Sequence, residues 1–162
     1  MTTEPFADTI TLPDGTAVRG RGRRQGLPAG PLPDYGLYLG HSPDAPHRPL
    51  LRLEKVWRPG WAADWITWPD FRTPRDATAA AALIEHAHER ARAGDRVEIA
   101  CYGGTGRTGT VIACLAVLAG HPAAGAVEWT RRHYRPKAVE TRGQRRWVEW
   151  FAGYRAAAVS SR

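Results

Sequence analysis

The sequence is short of cysteine, of long apolar runs and of metal-ligand spacing, and each shortage closes a class of function. Two cysteines in 162 residues, Cys101 and Cys114, cannot frame a disulfide scaffold, which fits a reducing compartment. No stretch approaches the roughly 20 uninterrupted apolar residues of a membrane helix. The N-terminus, MTTEPFADTI, is acidic and polar where an export leader would be basic and then apolar. A cytoplasmic protein without a membrane span is therefore the expectation. His86 and His88 are two residues apart on what reads as a helix, so they diverge, and no other His, Cys or carboxylate grouping has zinc spacing. No metal and no cofactor are expected, and no internal repeat is visible.

Lysine is scarce as well. Only Lys55 and Lys137 are lysines, so 21 of the 23 basic residues are arginine, in a chain of net charge +7 that is also rich in alanine and glycine. The charge suits an anionic partner, either a phosphorylated substrate or nucleic acid. The same bias also fits a merely solvated basic surface, and nothing aromatic is interleaved in the densest arginine stretch to stack a base, which speaks against nucleic acid.

With 43% hydrophobic residues, the chain is long enough for a single domain spanning 1–162. Two β-prone runs around Pro13-Asp14-Gly15 predict a hairpin over residues 9–19. RGRGRRQGLPAGPLPDYG has no periodicity and reads as a surface loop, so that residues 1–34 form a hairpin followed by a connector. YGLYLG at 35–40 reads as a strand, whereas PLLRLEKVW at 49–57 fits strand or helix. Trp61, Trp65 and Trp68 recur at helical spacing and read as packing residues.

Thr73 as a cap, Pro74 in the first turn and an alanine-rich run ending at Gly94 predict a helix over 73–93. DRVEIA at 95–100 is a strand entering a core. TGTVIACLAVLAG at 108–120 is apolar nearly all round, hence a buried helix that carries Cys114 as a core residue. A further helix runs from about Pro122 to Tyr134, with Arg131, Arg132, Arg135 and Lys137 as its solvated end. A last one runs from Thr141 to about Ala157, with Thr141 and Gln144 in capping-box spacing.

Between the strand and the buried helix lies ACYGGTGRTGT, which carries two phosphate-binding patterns at once. Gly104, Gly106 and Gly109 have the G-x-G-x-x-G spacing of a dinucleotide turn; Cys101 and Arg107 have the C-x5-R spacing of a cysteine phosphatase loop. A dinucleotide fold needs an acidic residue about 20 positions on, at the end of a second strand. Glu128 has the distance but falls within a helical run, and a Walker lysine is absent.

The cysteine pattern uses more of the residues. A thiolate at a strand end is stabilised by the unsatisfied N–H groups of the helix ahead of it. The amides of Tyr102, Gly103, Gly104, Thr105, Gly106 and Arg107 can curl around a phosphate, with the Arg107 guanidinium as a bidentate clamp. Thr108 can donate to the departing sulfur. Upstream, WPDF at 68–71 supplies Asp70, a carboxyl able to protonate a leaving oxygen.

These motifs resemble those of the protein tyrosine phosphatases of the cysteine-dependent superfamily. CYGGTGRTGT looks like their phosphate loop, WPDF followed by RTP like their general-acid loop, and RPKAVETRGQRRWVEWF like their late segment. The resemblance covers residues 65–150. It implies an α/β fold with a small central mixed sheet flanked by helices, and phosphomonoester hydrolysis through a cysteinyl-phosphate. Cys101 would be the nucleophile, Arg107 the phosphate clamp, Asp70 the general acid and then base, Thr108 the donor to the leaving thiolate and Gln144 the water-positioning residue. Protein phosphotyrosine is the leading substrate it implies. Ala100 stands where the family usually has histidine, and Tyr35, Tyr38 and Tyr102 are the candidates for an aromatic wall beside the site. Other readings stay open from the residues alone: an inositol phosphate, phospholipid head group or RNA 5′ phosphate as substrate, a phosphopeptide-binding module without turnover, and sulfur transfer or arsenate reduction.

Overall fold

The turn signal at Pro13-Asp14-Gly15 makes the hairpin it predicts. In the computed structural model, which describes residues 4–44 and 57–161, β1 (Thr9–Thr11) and β2 (Ala17–Gly22) pair antiparallel across it. The Asp14 carboxylate accepts the Thr16 amide at 3.0 Å, and Gly15 takes the left-handed φ of +87° that the turn needs. Three more strands follow: β3 (Tyr35–Gly40), β4 (Ala62–Thr67) and β5 (Val97–Cys101). They complete one five-stranded sheet in the order β1-β2-β5-β3-β4, in which every pair except β1–β2 is parallel. The inner strands are covered on both faces, and every residue of β3 and β5 is buried. Among the described residues four helices flank the sheet, α1 (Ala77–Arg92), α2 (Gly106–Leu118), α3 (Ala126–His133) and α4 (Arg142–Ser160), giving the mixed α/β architecture read from the sequence. None of the described helices is long and apolar enough to cross a membrane.

Several boundaries move, each for a physical reason. The stretch read as a loop from Arg19 onward is the second half of β2, which lies parallel to β5 with Arg19 opposite Glu98 and Gly22 opposite Cys101. Arg19 and Arg21 are therefore buried, not solvated. Both donate to the fully buried Glu98, Arg19 from Nη2 at 2.8 Å and Arg21 from Nε at 2.7 Å, and the Tyr38 hydroxyl donates to the same carboxylate at 2.8 Å. Burial pushes the Glu98 carboxyl up, but Arg21, Tyr38 and Arg19 outweigh it and hold the group below the usual carboxylate range.

Trp61 and Trp65 flank and occupy a strand, not a helix. A spacing of four residues returns to the same face at either period, so Trp61 and Trp65 alone could not choose, and the three-residue step to Trp68 that favoured a helix runs past the end of β4 at Thr67. They do pack, as expected: Trp65 lies against Tyr38 and Trp57, and Trp61 donates its indole N–H to the Tyr38 hydroxyl at 2.9 Å. The segment 49–57, apart from Trp57, falls outside the described residues.

The cap of α1 is Asp76 rather than Thr73. Its carboxylate accepts the Ala79 amide at 3.0 Å, while Arg75 donates its backbone N–H to Thr67 and keeps 73–76 in a loop. Helix α2 starts two residues early, at Gly106, and ends before Gly120, whose φ is +102°. The expected helix from Pro122 begins as a 3-10 turn over Ala123–Gly125 and becomes α3. Thr141 caps α4 through the Gln144 amide at 3.1 Å, as its spacing predicted. His88 pairs with Asp14 while His86 meets the edge of Tyr35, so the two histidines diverge.

Candidate active site

Strand β5 ends at Cys101 and α2 begins at Gly106, so the chain must reverse within the intervening residues. The reversal is held tight by backbone. Gly104 has φ +84°, and a side-chain carbon there would stand 2.4 Å from the Gly22 amide nitrogen, so β2 and the loop touch backbone to backbone. A carbon on Gly106 would come within 2.4 Å of the Glu140 carboxylate, and one on Gly109 within 2.7 Å of Ala138. The glycines are thus set by close approach, and the first N–H groups of α2, which have no intrahelical acceptor, face the loop.

Cys101 is buried with its sulfur inside this curl. The Gly104 amide donates to Sγ at 3.0 Å, and the Cys101 amide donates to the Thr108 hydroxyl at 2.9 Å. Thr108 is thereby tied to the backbone of Cys101, and its hydroxyl proton is not used in that bond. The loop carbonyls point the other way. Gly104 O accepts from the Tyr134 hydroxyl, and Gly103 O accepts from Arg135 Nη1 at 3.0 Å, which also reaches the Thr105 hydroxyl at 3.2 Å. Arg135 is therefore not a solvated helix end but a strut outside the loop. No sequence pattern marks Tyr134 or Arg135 for this task, because the partners are backbone atoms some 30 residues earlier.

Arg107 comes off the first turn of α2 and is 7% exposed. Its Nη1 donates to the carbonyls of Trp68 at 3.0 Å and Leu39 at 3.5 Å, and its Nη2 lies 3.4 Å from Asp70 Oδ1. Its Nε is buried without any partner, an unsatisfied donor of the kind an oxyanion ligand would complete. Asp70 itself is exposed at the tip of the loop that follows β4, next to Phe71 at φ +59°.

The loop is anchored by Trp68, which is fully buried, packs at a tilt against Trp147 and donates its indole N–H to Arg72 O at 2.7 Å. Gln144 reaches the same carbonyl from α4, Nε2 to Arg72 O at 3.2 Å, while its Oε1 accepts the Glu140 amide at 2.9 Å. Fully buried, it sits between the loop that follows β4 and Gly106.

The structure thus brings Asp70, Cys101, Tyr102 to Thr108 and Gln144 to one end of the sheet. Of the three candidate wall tyrosines, Tyr35 and Tyr38 are buried on Asp64 and Glu98, whereas Tyr102 is 59% exposed on the loop itself. Burial pushes the Cys114 thiol well above its ordinary value and leaves it an inert core group. Ala100 is buried in β5, between Arg21 of β2 and Tyr38 of β3.

A family model described as the Swiss Army Knife protein DSP-PTPase phosphatase domain matches residues 62–148, more than half of the chain. The chain is similar to Tk-PTP, solved in its active form, with 25% identity over 92% of this chain and 99% of that one and a TM-score of 0.63. A mouse putative dual specificity phosphatase complexed with zinc tungstate shares the fold, at 15% identity, 98% and 94% coverage and a TM-score of 0.61. Human DUSP28 does so at 14% identity, 77% and 80% coverage and a TM-score of 0.57. No curated protein sequence matches the chain. The matched region holds β4, β5, the glycine loop, helices α1 to α3 and the start of α4, and the chain belongs to the DSP-PTPase family of phosphatase domains.

Proposed function

We infer that the protein hydrolyses phosphomonoesters through a cysteinyl-phosphate, with phosphotyrosine in proteins as the leading substrate. The observation that carries this reading is the Gly104 amide donating to the Cys101 sulfur, which stabilises negative charge where a nucleophile needs it. In the first step Sγ attacks phosphorus and the P–O ester bond breaks. Asp70, as a carboxylic acid, gives its proton to the departing oxygen. In the second step Asp70, now a carboxylate, takes a proton from water, the oxygen of that water attacks phosphorus, and the S–P bond breaks to return the thiolate and release inorganic phosphate.

The loop amides and the free Nε of Arg107 hold the equatorial oxygens throughout. Gln144 Oε1, which keeps a lone pair beyond its bond to Glu140, supports water near Gly106. The Thr108 hydroxyl supports the nucleophile through the Cys101 amide. No residue role here requires a metal.

Hydrolysis of phenyl phosphate by wild type, Cys101→Ser and Asp70→Asn, each with and without chelator, tests the reading. Cys101→Ser is expected to abolish turnover. Asp70→Asn is expected to lower kcat by roughly 10²- to 10⁴-fold, with KM nearly constant. Turnover that survives in Cys101→Ser overturns the mechanism, and turnover lost with chelator overturns its metal independence.

A further inference from the structure

One cation beside the site is unused by this chemistry. Arg23 opens the 3-10 turn Arg23–Gln25 that follows β2, two residues past the fully engaged Arg21. Its guanidinium lies over Trp57 and Trp65, 5.3 Å from each ring centroid, and its buried Nε has no hydrogen-bond partner. Burial weakens this cation; Cys101 supports it, whereas Arg107 and Arg21 oppose it, so it lies within the field of the nucleophile. Among the described residues no carboxylate pairs with it. A partly desolvated guanidinium held by aromatic faces alone is costly unless an anion completes it.

The space for that anion is present. A cavity of about 360 Å³ is lined by Arg21, Arg23, Gly26, Leu27, Trp57 and Tyr102. That is the low end of the range for small-ligand pockets. Tyr102 belongs to the phosphate loop, so the cavity adjoins the mouth of the site without overlapping the amide curl. The scissile phosphate is already served by that curl and by Arg107, which leaves Arg23 to a different group. The walls are apolar and aromatic, so they suit a hydrocarbon body and would leave the hydroxyls of a polyol unpaired.

We propose that Arg23 and this cavity form a second anion subsite that binds a negatively charged side chain, phosphorylated or acidic, flanking a phosphotyrosine in a peptide substrate. The proposal rests on the phosphatase reading above and makes Arg23 a determinant of specificity.

The test compares wild type, Arg23→Met and Arg23→Lys on phosphotyrosine peptides whose following residue is glutamine, glutamate or phosphoserine, with phenyl phosphate and inositol 1,4,5-trisphosphate alongside. Wild type is expected to favour the two anionic peptides by roughly tenfold in kcat/KM, expressed mainly in KM, as one charged hydrogen bond would give. Arg23→Met is expected to erase that preference and Arg23→Lys to keep part of it. Comparing glutamate with phosphoserine distinguishes the two sources of the anion. Calorimetric Kd values on Cys101→Ser, with and without Arg23→Met, should reproduce the order without turnover. Equal loss on every substrate, no preference in wild type, or a preference for the inositol phosphate over the peptides overturns the proposal. Failure of wild type to hydrolyse phenyl phosphate overturns the phosphatase reading instead, and the Kd order still reports on the subsite.

Discussion

At the residue scale, the site depends on which way a few backbone atoms face. The carbonyls of Gly103 and Gly104 are tied outward by Arg135 and Tyr134, so the neighbouring amides are free to turn inward. Gly104 is the pivot, because its left-handed backbone and its contact with Gly22 exclude any side chain. Gly104→Ala is expected to destabilise the protein by about 2 to 3 kcal/mol through strain and forced displacement. It should also lower kcat/KM roughly 10²-fold, since a displacement of about 1 Å at the reacting centre has that effect. Urea unfolding and phenyl phosphate kinetics on the same sample check both parts. The loop glycines and Cys101 were legible because their spacing is local. Arg135 was not, because its role is defined by atoms it meets only after folding.

At the element scale, strand β2 is the clearest lesson. Its composition of glycine and arginine resembles a loop, and no local pattern overrides that. Glu98, 79 residues later, turns the arginines into core residues. The reverse holds for β4, where tryptophans four apart fit two periods and only its parallel pairing with β3 decides. Helices α1 and α4 were readable because caps and stops are short-range signals, although the cap of α1 is Asp76, three residues beyond the Thr73 the sequence pointed to. Helix α4 also positions Gln144, so its start matters to the site. Thr141→Ala removes the cap and is expected to cost about 1 kcal/mol, seen as a lower urea midpoint. Loss of activity beyond that of the folded fraction would show that the cap also aligns Gln144.

At the scale of the whole molecule, stability is tied to one carboxylate. Glu98 joins β2, β5 and, through Tyr38, β3, at the centre of the sheet. Removing its charge leaves two buried guanidiniums without a counter-charge, so Glu98→Gln is expected to cost about 3 to 5 kcal/mol. The pH dependence follows from the direction of its shift. A carboxyl held below its ordinary value of 4.5 contributes fully above that value and loses the contribution as pH falls through the depressed one. The wild-type urea midpoint should therefore fall from about pH 5 downward, and Glu98→Gln should flatten part of that decline. An unchanged slope would assign the acid sensitivity to other carboxylates.

The burial of Cys114 has a consequence under oxidative stress. The bond from the Cys101 amide to the Thr108 hydroxyl sets Cys101 beside the first turn of α2, and Cys114 lies six residues further on, about 9 Å along the helix, whereas a disulfide needs its two Cα atoms within about 7 Å. A sulfenic acid formed on Cys101 has no second thiol of its own chain to trap it in the folded state. Its return to the thiol depends on thiols from outside the molecule, and longer exposure carries it onward to irreversible acids.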